Sequence, residues 1–363
     1  MEEKKSPLSI LQENDLVYFP GLVAKGHYQL QKNLSSSLFG IIKVAKDIKQ
    51  DRLVCIKISL LNSLLKKRTL RHGAYVQESI SNETLTLKTI TSSFPQETFF
   101  THLIDTFEDT MFHYLVTEYI ESGDLFEFIV KQTIEEKEEK EKKIAYFTEE
   151  ETRQLMFPFL KGILKLHEMG IAHRDISLEN ILIDVSSNSS SPQKRLVLCD
   201  FGVAWTCNKI KTADSNSNTI TFNEIYKGDL KEARPGKTDY SSIELLLLNE
   251  YNVFLNDMYG IGVVLFTMLT GLPPYNLISK EGTIPEFPWT QRCFENNAWF
   301  QGMISGKWIT SDSFRNNPLA QKKYGHLSED ALDILKNLIC FEERRFTVHQ
   351  LLQHPFFYDC KFT

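Results

Sequence analysis

In the first third of the chain, apolar and polar positions alternate over short runs. The segments YQLQKNL (Tyr28–Leu34), GIIKVAKDI (Gly40–Ile48) and RLVCIKISL (Arg52–Leu60) are rich in β-branched residues and parted by short polar turns, which predicts three strands. ESISNETLTLKTI (Glu78–Ile90) carries Leu87 and Ile90 on one face of a predicted helix. A second strand pair is predicted over THLIDTFED (Thr101–Asp109) and MFHYLVTEYI (Met111–Ile120). The remaining two thirds read as mainly helical, with FTEEETRQLMFPFLKGILKLHEMG (Phe147–Gly170), SEDALDILKNLI (Ser328–Ile339) and TVHQLLQHPFF (Thr347–Phe357) as the clearest elements. Thr148 and Ser328 are each followed by acids, an N-cap pattern. The most apolar run, IGVVLFTMLTGL (Ile261–Leu272), spans 12 residues, too few to cross a bilayer, and predicts a buried helix. The fold class expected is α+β.

Three segments read as solvated insertions: IEEKEEKEKK (Ile134–Lys143), a helical extension or partner-binding arm; SSNSSSPQ (Ser186–Gln193); and TADSNSNT (Thr212–Thr219). The 363 residues allow either one domain of two lobes or two domains, and 42% hydrophobic with 24% charged residues is ordinary for a globular chain. A net charge of −6 gives no electrostatic footprint for nucleic acid or an anionic membrane and mildly favours cationic substrates. The six cysteines (Cys55, Cys199, Cys207, Cys293, Cys340, Cys360) form no CxxC pair, which argues against a zinc site or disulfide framework. MEEKKSPLSILQEND at the N-terminus lacks the apolar run of a signal peptide, so a cytoplasmic or nuclear protein is expected.

Several motifs gain weight from their order: VCIK (Val54–Lys57) at the end of a strand, HRDISLEN (His173–Asn180) after a long helix, and CDFG (Cys199–Gly202) after another strand. GKTDYSSIE (Gly236–Glu244), NDMYGIGVV (Asn256–Val264) and RRFTVHQLLQHPFF (Arg344–Phe357) follow. In these residues the chain resembles the eukaryotic protein kinase family over roughly residues 28–358. The resemblance implies a bilobal fold: a β-rich N-lobe (about 28–117) with one key helix, and a mainly α-helical C-lobe (about 121–358). An extension (1–27) and a short tail (359–363) flank it.

The chemistry implied is transfer of the γ-phosphate of ATP to serine or threonine hydroxyls of a protein, with Mg2+ (or Mn2+) as cofactor. Asp175 corresponds to the base that orients the hydroxyl, and Lys57 to the residue pairing the α- and β-phosphates. Asn180 and Asp200 correspond to the metal ligands, hard oxygens for a hard cation. Lys57 needs a carboxylate partner. Glu78 and Glu83 lie five residues apart, about 140° around one helix, so only one is expected to face it, and Glu83, with apolar residues at +4 and +7, is preferred.

Two departures stand out. In NLSSSLFGII, Gly40 falls where the third glycine of the phosphate-covering loop is expected, while Ser35 and Ser37 replace the first two. In HRDISLEN, Ser177 stands where the family has lysine, and in GKTDYSSIE, Lys237 stands where it has threonine. The pair looks exchanged, so the Lys237 ammonium is expected beside Asp175 and the γ-phosphate; the alternative is a solvent-facing Lys237 with Ser177 merely tolerated.

In the segment TEYIES the resemblance makes Thr117 the gatekeeper, with Glu118 and Ile120 offering backbone bonds to adenine. Ile42, Cys55, Leu182 and Cys199 are further nucleotide-proximal positions. Asp124 and Glu179 match acids that hold basic residues upstream of the acceptor. Asp257 matches the anchor of the catalytic loop, and Glu244 with Arg345 an ion pair of the lower lobe. Arg174 is expected to receive either Glu232, a built-in carboxylate, or a phosphate on Ser215, Ser217, Thr219 or Thr221. The partners expected are a protein substrate and no nucleic acid or membrane, with the chain a monomer. The competing reading is a scaffold that binds ATP and transfers little phosphate.

Overall fold

A computed structural model describes residues 16–17, 28–70, 75–138, 147–186, 193–207, 225–227, 235–248, 250–271, 273–274 and 325–361. The chain divides into two compact units, residues 1–121 with 200–203, and residues 122–199 with 204–363. A β-rich N-terminal region is thus followed by a mainly helical one, the α+β architecture expected.

The first unit is built on a six-stranded sheet: β1 (Leu16–Val17), β2 (Tyr28–Ser36), β3 (Gly40–Asp47), β4 (Arg52–Leu60), β5 (Leu103–Glu108) and β6 (Phe112–Glu118). Its order is β1-β2-β3-β4-β6-β5, and each adjacent pair is antiparallel. Alternation along β4 sends Val54, Ile56 and Ile58 into an apolar layer with Leu30 and Val116. Tyr28, Phe107 and Tyr114 stack in series in the same layer, with ring centroids 6.1 and 4.6 Å apart.

Helix α1 (Leu61–Lys66) follows β4, and α2 (Ile80–Ser93) precedes β5. The Ser79 side chain caps α2, accepting from the N–H of Asn82, so α2 starts two residues later than the sequence pattern suggested. Residues 200–203 were expected in the C-terminal part. They group with the first unit because Phe201, fully buried, packs edge-on against Phe100 at 6.4 Å and Ser79 donates its N–H to the Gly202 carbonyl at 2.9 Å.

In the second unit, α3 (Leu125–Glu138) runs into the charged segment whose remainder, 139–143, lies outside the described residues. Helix α4 (Glu149–Glu168) opens with a full capping box, Thr148 and Glu151 each bonding the other's backbone N–H. Hairpin β8 (Ile181–Ser186) and β9 (Gln193–Leu198) and the short pairs β7 (Ile171–Ala172) with β10 (Trp205–Thr206) and β11 (Ile225–Lys227) with β12 (Glu250–Asn252) frame the loops. The other helices are α5 (Ile243–Leu247), α6 (Val253–Thr270), α7 (Glu329–Leu338) and α8 (Val348–Leu352), the last ending before Pro355.

Helix α6 is 18 residues, longer than the apolar run, because the Asn252 side chain caps its start and Gly271 at φ +72° ends it. It is long and apolar enough to cross a membrane by composition, yet every residue except Leu255 is buried inside the protein. It is a core helix.

Arg345 and Glu244 form a buried ion pair at 2.9 Å. Arg345 also donates to the carbonyls of Leu338 and Leu255, and Glu244 accepts the N–H of Glu342, so both charges are fully hydrogen-bonded. Removing one partner strands the other without water. Arg345→Ala is therefore expected to cost about 3–5 kcal/mol in denaturant unfolding; a loss below about 1 kcal/mol would contradict that account.

His113 on β6 is 5% exposed, and only its Nε2 is engaged, 3.1 Å from the Thr106 hydroxyl. Burial, with the Lys57 charge adding, lowers its pKa to about 4. The unfolded chain takes up this proton near the ordinary value of 6.5, before the folded protein does. Stability is thus complete above about pH 6.5 and lost as the pH falls toward 4. His113→Leu is expected to flatten the fall in unfolding free energy across that window. Equal slopes in parent and variant would refute the assignment.

Candidate active site

Lys57 lies mid-strand in β4, in register with Ile42 on β3 and Leu115 on β6, so its position is fixed by two ladders. Its Nζ lies 2.8 Å from Glu78 Oε1, 3.0 Å from Glu83 Oε2 and 3.3 Å from Asp200 Oδ1. The expectation that only one glutamate faces Lys57 is corrected. Glu83 rides on α2, but Glu78 precedes the Ser79 cap, so the helical angle between them does not apply. Glu78 also packs on the DFG turn: a Cβ on Gly202 would come within 2.7 Å of its Cγ.

Burial opposes the Lys57 ammonium, but Asp200, Glu83 and Glu78 together outweigh it and hold its pKa well above the ordinary lysine value. Burial, with repulsion from Asp200 and Glu78 adding, pushes the Glu83 carboxyl up against the pull of Lys57. The three acidic oxygens lie within 4.8 Å of one another, around a cation that balances one of them. Asp200 has φ +62°, and its side chain is 43% exposed, the open member of the set.

The catalytic loop belongs to the second unit. Asp257 on α6 is buried and accepts the N–H groups of His173 at 2.8 Å and Arg174 at 2.6 Å, with His167 Nε2 at 3.0 Å. This holds Arg174 at φ +67°, just before Asp175. Asp175 Oδ2 accepts from Asn180 Nδ2 at 2.6 Å and from the Lys237 ammonium at 3.1 Å, while Oδ1 accepts the Lys237 N–H at 2.7 Å. The same ammonium lies 3.0 Å from the Ser177 hydroxyl. The approach depends on Gly236 at φ +75°, where a Cβ would sit 2.5 Å from the Arg174 carbonyl. Asn180 spends its amide hydrogens on Asp175, at the carboxylate and at the backbone oxygen 2.8 Å away. Its side-chain oxygen is therefore the part left to offer a cation, as a hard oxygen ligand should be.

A family model described as the protein kinase domain matches residues 28–357. The chain belongs to the protein kinase family. It is 24% identical over 333 residues to the serine/threonine-protein kinase cds1 of Schizosaccharomyces pombe, covering 92% of this chain and 58% of that one. It is 24% identical over 332 residues to calcium/calmodulin-dependent protein kinase type 1 of Macrobrachium nipponense, covering 90% and 74%. It is 26% identical over 260 residues to the probable serine/threonine-protein kinase fhkE of Dictyostelium discoideum, covering 70% of this chain and 28% of that one. The chain thus spans from about a quarter to three quarters of the length of these relatives.

The remaining expected positions of this kinase fall as follows. Ser35 pairs with Ile42 in the β2–β3 ladder and is exposed, and Ser37 donates its N–H to the Gly40 carbonyl at 3.1 Å, tightening the turn. Gly40 has no room for a side chain, because a Cβ would lie 1.8 Å from the Ile58 carbonyl oxygen. Cys55 faces Thr117 across β4 and β6. Burial pushes its thiol pKa up to about 11 against a hydrogen bond with Thr117, so it is an unreactive thiol at neutral pH. Glu118 ends β6, its carboxylate accepting the His102 N–H at 3.2 Å, and Ile120 follows.

In the second unit, Leu182 alternates with buried Ile181 and Ile183 along β8 and bridges to Asp124. Cys199 Sγ donates to the Asn180 carbonyl at 3.4 Å. Asp124 caps α3 through the Glu127 N–H at 2.7 Å, and Glu179 bonds the Tyr240 hydroxyl. Both acids are therefore partly spent within the protein. The Arg174 guanidinium lies 5.5 Å over the Trp205 ring, while Glu232, Ser215, Ser217, Thr219 and Thr221 fall outside the described residues.

The sequence reading weighed Glu78 only as the alternative to Glu83, and it missed Tyr240. Nothing in the pattern marked Glu78 as lying beyond the helix, or Tyr240 as the partner of Glu179. Since either glutamate can neutralise Lys57, Glu78→Gln and Glu83→Gln are each expected to cost less than half of what the double variant costs in urea unfolding, a coupling of about 0.5–3 kcal/mol. Additive losses would show that the two acids act separately.

Proposed function

We propose that this kinase transfers the γ-phosphate of ATP to serine or threonine hydroxyls of proteins. The observation that carries the reading is the Asp175 carboxylate, oriented by three donors from Asn180 and Lys237 and raised on a loop pinned by Asp257. A carboxylate so held can orient an incoming hydroxyl and take its proton. The hydroxyl oxygen then bonds to the γ-phosphorus. The bond from that phosphorus to the bridging oxygen breaks, and its electron pair leaves with ADP.

Lys57, enclosed yet cationic, would pair with the non-transferred phosphates, and Asn180 and Asp200 would supply oxygens for magnesium. Magnesium, when bound, offsets phosphate charge. Thr117, Glu118 and Ile120, with Ile42, Cys55, Leu182 and Cys199, are the positions assigned to the base and sugar. With Asp124 and Glu179 already partnered, only a weak preference for basic residues near the acceptor is proposed. Cytoplasmic or nuclear residence and a monomeric state belong to the same reading.

The test is phosphate incorporation from labelled ATP and magnesium into the chain itself and into a basic peptide, beside Asp175→Asn. Incorporation on serine or threonine that falls by at least about 100-fold in the variant is expected. Magnesium-dependent ATP binding without transfer, in phosphorylated and unphosphorylated preparations alike, would replace the enzyme with an ATP-binding scaffold. Label on tyrosine would change the substrate class.

A further inference from the structure

Lys237 grips Asp175 twice, through its own N–H on Oδ1 at 2.7 Å and through its ammonium on Oδ2 at 3.1 Å. Few side-chain cations are so constrained: the backbone is set by Gly236 lying against the Arg174 carbonyl, and the tip is set by Asp175 and by Ser177 at 3.0 Å. Ser177 is fully buried, so its hydroxyl is a fixed post rather than a mobile one. The Lys237 side chain is itself 38% exposed. The ammonium is therefore anchored at its tip, on a side chain that solvent still reaches. It can touch a bound molecule without losing its anchor.

Resting on the kinase reading above, we infer that Lys237 is a catalytic residue: its ammonium contacts the phosphoryl group in transit to the hydroxyl held by Asp175. A hydroxyl about 3 Å from Asp175 Oδ2 lies within roughly 6 Å of the ammonium bonded to that same oxygen. Charge spreads over the equatorial oxygens of the phosphoryl group as it moves, and a preorganised cation beside it stabilises that state more than the ground state. Arg174, the loop's own cation, does not serve this place, since its guanidinium lies over the Trp205 ring. Ser177 and Lys237 work as one device. The activation segment brings the charge, and the catalytic loop supplies the small polar residue that receives it; a longer side chain at 177 would occupy the ammonium's seat.

The experiment compares Lys237→Met, Lys237→Arg and the double exchange Ser177→Lys/Lys237→Thr with the parent in the full chain. It measures kcat, KM for ATP, melting temperature and, separately, calorimetric binding of ATP and of ADP with magnesium. The Met variant is expected to lose on the order of 100-fold in kcat with KM changed less than about threefold, and to lose the parent's preference for ATP over ADP. The Arg variant, keeping the charge, is expected within about tenfold of the parent, and the double exchange to regain most of what the Met variant loses. A Met variant that keeps both kcat and the ATP preference overturns the proposal while leaving the kinase reading intact. So does an Arg variant as impaired as Met. Should the Met variant not fold, the double exchange decides: recovered turnover or ATP preference supports the proposal, and absence of both overturns it. Were the parent itself inactive, the kinase reading would fail, and the ATP-versus-ADP comparison would still judge Lys237.

Discussion

The buried carboxylate of Asp257 is the constraint on which the catalytic loop depends. It sits on α6, a helix buried almost throughout, and takes two backbone N–H groups and an imidazole. A carboxylate removed from water is costly unless its lone pairs are filled, and here they are filled by the loop together with His167 of α4. The exchange is mutual. The loop gains acceptors for the N–H groups of His173 and Arg174, and Arg174 is held in a left-handed conformation that a non-glycine residue seldom adopts unaided. Asp175 and Asn180 inherit their positions from that turn, and Gly236 lays the activation segment on top of it.

Much of this was legible in the chain. The strands of the first unit begin and end close to where alternation and polar turns put them, because one face of the sheet is dry and the other is not. The caps at Thr148 and Ser328 fell where a hydroxyl precedes acids, since four unpaired N–H groups must be met locally. The motifs carried the family because each has a chemical reason for its residue types. What the pattern could not carry was the first residue of α2. Ser79 caps the helix, and that single boundary decides whether Glu78 obeys helical spacing or swings freely onto Lys57. Tertiary pairs such as Tyr240 with Glu179 leave no periodic trace at all.

The acidic surplus around Lys57 follows from the same boundary. One ammonium meets Glu78, Glu83 and Asp200, and burial amplifies every term among them. Raising the Glu83 pKa is how the cluster eases its own repulsion, and the exposed side of Asp200 is where the remaining charge can be answered by a cation from solvent. On the proposed reading, that cation is the divalent metal that accompanies the phosphates.

The two lysines illustrate how enclosure sets what a cation can do. Lys57 is 8% exposed and held between strand neighbours and two glutamates, so its position is fixed. Lys237 is held at its tip by Asp175 and Ser177 and its side chain remains partly exposed. An enclosed cation suits a group that stays put, as the non-transferred phosphates do. A half-open one suits a group that moves past it. A loop that gives up its own long cation keeps its chemistry only if the neighbouring segment is fixed as firmly as the loop. The close approach at Gly236 and the double grip on Asp175 meet that condition, whereas a lysine reaching in from a loosely held segment would bring charge without position.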